Sequence, residues 1–167
     1  GVGSAEFEGL AVGTYDISAK FEATEIYAEA DATGTVSVSI RETSLTVSAE
    51  PIVAGDVAVV NVTLVDADGV GIDGTVIVTV NGTDKEATVT GGVGSAEFEG
   101  LAVGDYDISA KFETTEIYNE STATGSLVVE PMETSLAVSA EPVLAGDAVV
   151  VNVTLVDADG VGIDGTV

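Results

Sequence analysis

The sequence predicts an all-β protein, a tandem array of seven-stranded β-sandwiches with a 91-residue repeat. Three observations predict it. Gly92 restarts the sequence that Gly1 begins, and residues 1–76 differ from 92–167 at only sixteen positions. Near-identical recurrence at this spacing is the signature of one module used repeatedly. Apolar residues alternate with polar ones over short runs separated by Gly, Asp and Asn, the pattern of half-buried strands joined by turns. Finally, Val, Ala, Thr and Gly dominate a chain that is 46% hydrophobic and only 5% aromatic. That composition favours strands over helices.

Residues 1–42 read as the C-terminal half of a module. Ser4–Glu8 alternates with Ala5 and Phe7 on one face, and Tyr15, Ile17, Ala19 and Phe21 alternate against Asp16, Ser18 and Lys20. A polar loop then leads to a strand over Thr33–Ile40. Residues 43–133 make one complete module. Its first strand is Ser44–Ala49, stopped by Pro51, and Pro51–Asp56 reads as a turn. In Val57–Val65, Ala58, Val60, Val62 and Leu64 share a face, and in Thr75–Val80, Val76, Val78 and Val80 do. Asn81-Gly82 is a hairpin signal, because both residues accept a left-handed backbone. Lys85–Thr90 is a short polar strand suited to a sheet edge. Ser95–Glu99, Tyr106–Phe112 and Thr122–Glu130 complete the set, and Pro131 ends it. Residues 134–167 restart the module. The two end pieces together fall short of a repeat by the counterparts of residues 77–91. This favours a window on a longer array over strand exchange between neighbouring chains, which would leave the Asn81-Gly82 hairpin unsupplied.

Within each copy, Leu101 to Tyr106 and its counterpart Leu10 to Tyr15 combine a Leu, a Gly that can bend the chain and a Tyr opening a strand. This pattern resembles the tyrosine corner of immunoglobulin-like sandwiches, with Tyr15 and Tyr106 as the structural residues. In antibody domains a Cys follows that Tyr by two residues; here Ile108 and Ile17 hold the place, so apolar packing replaces a disulfide. The module's size also matches an immunoglobulin-like domain.

Charge excludes some partners. Four basic residues, Lys20, Arg41, Lys85 and Lys111, stand against 29 acidic ones, for a net charge of −25. Such a surface repels nucleic acid and anionic lipid. It favours solubility and attracts cations. There is no Cys for a disulfide and no His, and no apolar run reaches the roughly 20 residues of a membrane helix. Catalysis has no footing in the sequence. Its carboxylates lie on alternating outward positions, and paired-carboxylate hydrolysis would need a cleft. No cofactor is expected, apart from a possible Ca2+.

Two sets of residues are candidates for chemistry. Asp66, Asp68 and Asp73, repeated as Asp157, Asp159 and Asp164, lie in a Gly-rich run that resembles part of a calcium loop, since a hard cation takes several oxygens from a flexible turn. The third Asx and the terminal Glu of an EF-hand are missing. An acidic turn, in which Asp and Gly serve the backbone, accounts for the same residues. Four sequons place glycan acceptors at Asn61, Asn81, Asn119 and Asn152. Asn61 and Asn152 fall on an outward strand face, and Asn81 and Asn119 in loops.

Taken together, the run from Val65 to Val76, the Leu101–Tyr106 corner and the approach Ile117–Ala123 to the last strand resemble the prokaryotic immunoglobulin-like (Big-type) repeats of adhesin-like surface proteins, closest in style to those of methanogenic archaea. The resemblance covers the whole chain. It implies export, an extracellular position at the cell surface, and a role as a spacer, adhesin or filament component. The partners it implies are neighbouring copies of the same repeat. An adhesin module that itself binds a glycan or host protein, or a strand-exchanged filament subunit, are the other readings. The chain departs from these repeats in being unusually poor in Lys.

Overall fold

The computed structural model describes residues 1–166. Its complete unit is a two-sheet sandwich running from Thr43 to Glu130. The strands are β3 (Thr43–Ala49), β4 (Ile52–Val53), β5 (Ala58–Asp66), β6 (Gly74–Val80), β7 (Thr83–Val89), β8 (Val93–Phe98), β9 (Gly104–Phe112) and β10 (Ser121–Glu130). They follow β1 (Gly13–Phe21) and β2 (Ala30–Val38), and β11 (Thr134–Ala140) and β12 (Val151–Asp157) come after. One sheet of the sandwich has the order β3-β5-β8 and the other β4-β10-β9-β6-β7. The all-β, immunoglobulin-like sandwich read from the sequence is the fold observed.

Alternation builds the core. In β5, every second residue from Ala58 to Asp66 is buried, while Val59, Asn61 and Thr63 face out. Val76, Val78 and Val80 of β6, Ile108, Ala110 and Phe112 of β9, and Leu127 and Val129 of β10 meet this face from the opposite sheet. The side chains are small and branched, so a thin, tight core forms with few aromatics. At the rim the two sheets also meet where the Lys85 ammonium lies 5.5 Å from the centre of the Phe98 ring.

Two expectations for strands need correction. Pro51–Asp56 is more than a turn, because Ile52–Val53 forms β4 and pairs parallel with Val129 and Glu130 of β10. The complete unit therefore has eight strands. Two residues in parallel pairing are too few to show an alternation. Ser4–Glu8 is not a strand: residues 1–12 contain none, although their counterparts include β8. In the complete unit β8 is held by β5. Nothing equivalent to β5 stands beside residues 2–7, so their backbone has no ladder to join.

The end pieces form two-stranded ladders with the register of their counterparts. Tyr15 faces Val36 as Tyr106 faces Leu127. Leu136 faces Leu155 as Leu45 faces Leu64. Burial differs sharply. Ile17 is 46% exposed where Ile108 is 1% exposed, and Val151 is 53% exposed where Val60 is fully buried.

Candidate functional site: acidic loop, corner and junction

The loop Asp66–Gly74 follows β5 and folds back onto the Gly91-Gly92 turn. Asp66, the one buried charged residue among those described, organises its start. Its Oδ1 accepts the backbone N–H of Asp68 at 3.0 Å and of Val70 at 2.9 Å, so the side chain mimics a turn of backbone. Its Oδ2 lies 3.6 Å from Nη1 of Arg41. At the far end, Oδ1 of Asp73 accepts the N–H of Gly91 at 2.6 Å. Leu64 donates to Gly92 O at 2.9 Å and Ile72 to Leu64 O at 3.1 Å, which sews the loop to the end of β5. A Cβ placed on Gly71 would meet Gly91 O at 2.3 Å, and one on Gly92 would meet Gly71 Cα at 2.6 Å. These glycines are set by the close approach of two backbones.

Of the calcium candidates, Asp66 and Asp73 each direct an oxygen to backbone N–H groups of the loop and its neighbour, and Asp68 is exposed. Asp157 repeats the arrangement of Asp66, accepting from Asp159 at 3.0 Å and Val161 at 2.8 Å. Asp164 is exposed. Among the described residues no group of three or more acidic side chains converges as a cation cage would require.

At the corner, Gly104 opens β9 and Tyr106 turns its ring toward the core rim. Its hydroxyl donates to Ala102 O at 2.8 Å. In the first copy Tyr15 donates to Ala11 O at 2.9 Å. The bond spans four residues, so local chain geometry suffices to make it.

The junction was the least legible part. Arg41 lies in the segment between β2 and β3, and its backbone is held on both sides by the loop before β10. Arg41 donates to Ile117 O, and Asn119 donates to Arg41 O, both at 2.8 Å. Thr43 Oγ1 bonds Asn119 O at 3.0 Å and Ser121 Oγ at 2.8 Å. Glu42 stands 3.4 Å from the Asn119 amide nitrogen. The only sequence signal for this contact is that Arg41 is the single Arg of the chain.

Of the sequon residues, Asn61 and Asn152 are exposed on β5 and β12. Asn81 is exposed in the hairpin turn with a left-handed φ of 51°. Asn119 is half-buried against Glu42, and its Oδ1 accepts the N–H of Glu120. A glycan on its amide nitrogen would displace the Glu42 contact.

No protein-family model matches the chain, and no curated protein matches it. Among solved structures it is similar to the crystal structure of the CARDB domain of a Pyrococcus furiosus protein in complex with di-metal ions. The two are 22% identical with a TM-score of 0.42, over 57% of this chain and 99% of that one. Both values are too low to carry a residue's role from that domain to this chain.

Proposed function

We propose that the chain is a structural segment of a cell-surface protein, in which tandem immunoglobulin-like repeats form an extracellular stalk or filament. One observation carries this reading: the sandwich is entered at one pole and left at the other. Thr43, the first residue of β3, is bonded to Ser121 at the start of β10, while the chain departs after Glu130 at the end of β10. Ten strand residues at about 3.3 Å separate these points by roughly 30 Å. Each module therefore advances the chain by its own length. Only residues 39–42 separate β2 from β3, and only 131–133 separate β10 from β11. Linkers this short, one of them bonded to its module through Arg41, support a joint that recurs with fixed geometry. The acidic exterior suits a solvated rod, and Asn61, Asn81 and Asn152 offer exposed positions for glycans on an exported protein. The function is mechanical: modules hold another part of the molecule away from the cell, or associate into a fibre.

Electron microscopy of the native material, with no partner added, tests this. Regular fibres or rods with an axial repeat near roughly 30 Å are the expected result. Dispersed compact particles would remove the stalk reading.

A further inference from the structure

We propose that consecutive modules are fastened by an apolar contact that recurs at each joint: Val12, at the corner of one repeat, seats against Ile117 in the entry-pole loop of the next. The contact rests on the stalk reading and supplies the surface at its joint. On the entry side the chain builds a short turn between β9 and β10. Thr115 donates its N–H to Tyr118 O at 2.8 Å, and its Oγ1 accepts the N–H of Tyr118 at 2.9 Å. Tyr118 packs against the core, while Ile117, one residue before it, is left 56% exposed. Ile117 O accepts the N–H of Arg41 at 2.8 Å, so the turn is tied to the linker that arrives from the preceding repeat. On the exit side the tyrosine hydroxyl braces the corner in the same local way. It leaves Val12 48% exposed and, in the complete sandwich, Val103 54% exposed. Each repeat thus presents an aliphatic side chain on a braced turn at either pole.

The two sides already face each other. Leu10, Val12 and Ser39 of the first repeat line one cleft of about 460 Å³ with Arg41, Glu116 and Ile117. Leu10, Val12 and Ile117 gathered between two modules are an interaction surface, as a lone exposed aliphatic residue is not. Residues 39–42 of the linker, fully extended, reach at most about 14 Å, so the poles stay close. Closing the cleft brings Val12 onto Ile117, with the bonded Arg41 backbone as the pivot. Identity between the copies singles out this apolar pair. Residues 9–13 recur unchanged as 100–104, and 24–27 as 115–118. Thr24 also makes the same turn bonds to Tyr27. The linker itself is not kept. Ser39-Ile40-Arg41 becomes Glu130-Pro131-Met132, so Met132 cannot reproduce the Arg41–Asp66 ion pair at the next joint. A fastening common to successive joints therefore lies in the corner and the turn. It is heterologous, exit pole on entry pole, and so repeats along an array.

The chain contains no Cys, so a pair of introduced cysteines reports the contact directly. Val12→Cys with Ile117→Cys is made in the full chain and oxidised at low protein concentration, and the intramolecular disulfide is followed by loss of free thiol. Val12→Cys with Val59→Cys is the control, with its second thiol exposed near the start of β5, at the far pole of the sandwich. All three positions are exposed, and the reduced variants should melt as the parent does. Closure of the Val12–Ile117 pair is expected to be at least about tenfold faster than the control, because a seated contact raises the effective concentration of one thiol at the other. Adding Arg41→Met, the residue found at the next joint, is expected to leave that advantage in place. Closure no faster than the control overturns the proposal. So does an advantage that disappears with Arg41→Met, which would make the ion pair the fastening. Regular fibres in native material beside either of those results would sink the contact and leave the stalk reading standing.

Discussion

At Tyr106 a single hydroxyl closes the turn between β8 and β9, and its partner Ala102 O has no strand to bond. Tyr106→Phe is expected to cost about 1 kcal/mol, the net worth of one hydrogen bond, with the ring's packing retained. An unchanged denaturation midpoint for Tyr106→Phe would mean the bond contributes nothing and the corner is held by the ring alone. Asp66 is a sharper case. Asp66→Ala strands two N–H donors in the loop and should cost about 1–3 kcal/mol, whereas Asp66→Asn keeps an acceptor and should cost less. Equal losses in denaturant melts would shift the weight to the carboxylate's charge and Arg41. Lys111 sets a pH dependence. Its ammonium bonds Glu113 at 2.8 Å and lies 3.6 Å from Glu120; the Glu113 hydrogen bond first, then the charges, raise its pKa. A folded pKa above the unfolded one means the contribution is present below about pH 10.4 and lost as pH rises through the raised value. Lys111→Met should therefore flatten the alkaline limb of the stability profile. A limb of unchanged slope would show that solvent screens the pair completely.

Among the elements, the turns divide by why they need glycine. Gly82 sits at φ 71° in the β6–β7 hairpin with open space around it, so Gly82→Ala meets only the left-handed penalty, about 1 kcal/mol. Gly71 is not left-handed but faces backbone on the Gly91-Gly92 turn, and neither side can yield. Gly71→Ala should cost about 3 kcal/mol or more by urea denaturation. Comparable losses at the two sites would mean the loop and the turn are not locked together. The same contrast explains what could be read from sequence. Strands β5, β6, β9 and β10 were legible because each buries alternate residues against a facing sheet. The Asn81-Gly82 hairpin was legible because its residues report local conformation. The Gly71–Gly92 approach and the Arg41 junction were not, because each joins segments far apart in sequence through backbone groups that every residue carries. The strand expected over Ser4–Glu8 failed for a related reason. Alternation records which face a strand would bury and does not say whether its partner is present.

For the whole molecule, the dominating fact is the net charge of −25 on a chain with four basic residues. Those four are largely committed: Lys20 and Lys111 to neighbouring glutamates, Arg41 to Asp66 and Lys85 to the Phe98 ring. The remaining carboxylates face one another across solvent, and folding brings them closer than they are in the extended chain. Compaction therefore works against self-repulsion. Raising ionic strength from about 0.01 M to 0.15 M shortens the screening length from roughly 30 Å to 8 Å. The melting midpoint of the central sandwich should rise over that range. Acidification toward the pI of about 4.1 should remove the same repulsion and drive self-association without salt. Calorimetry across a salt series separates this from specific cation binding. Sodium and calcium at matched ionic strength should give the same midpoint if screening is the cause. A calcium-specific rise, lost in Asp66→Asn or Asp68→Asn, would instead assign the acidic loop to a bound ion.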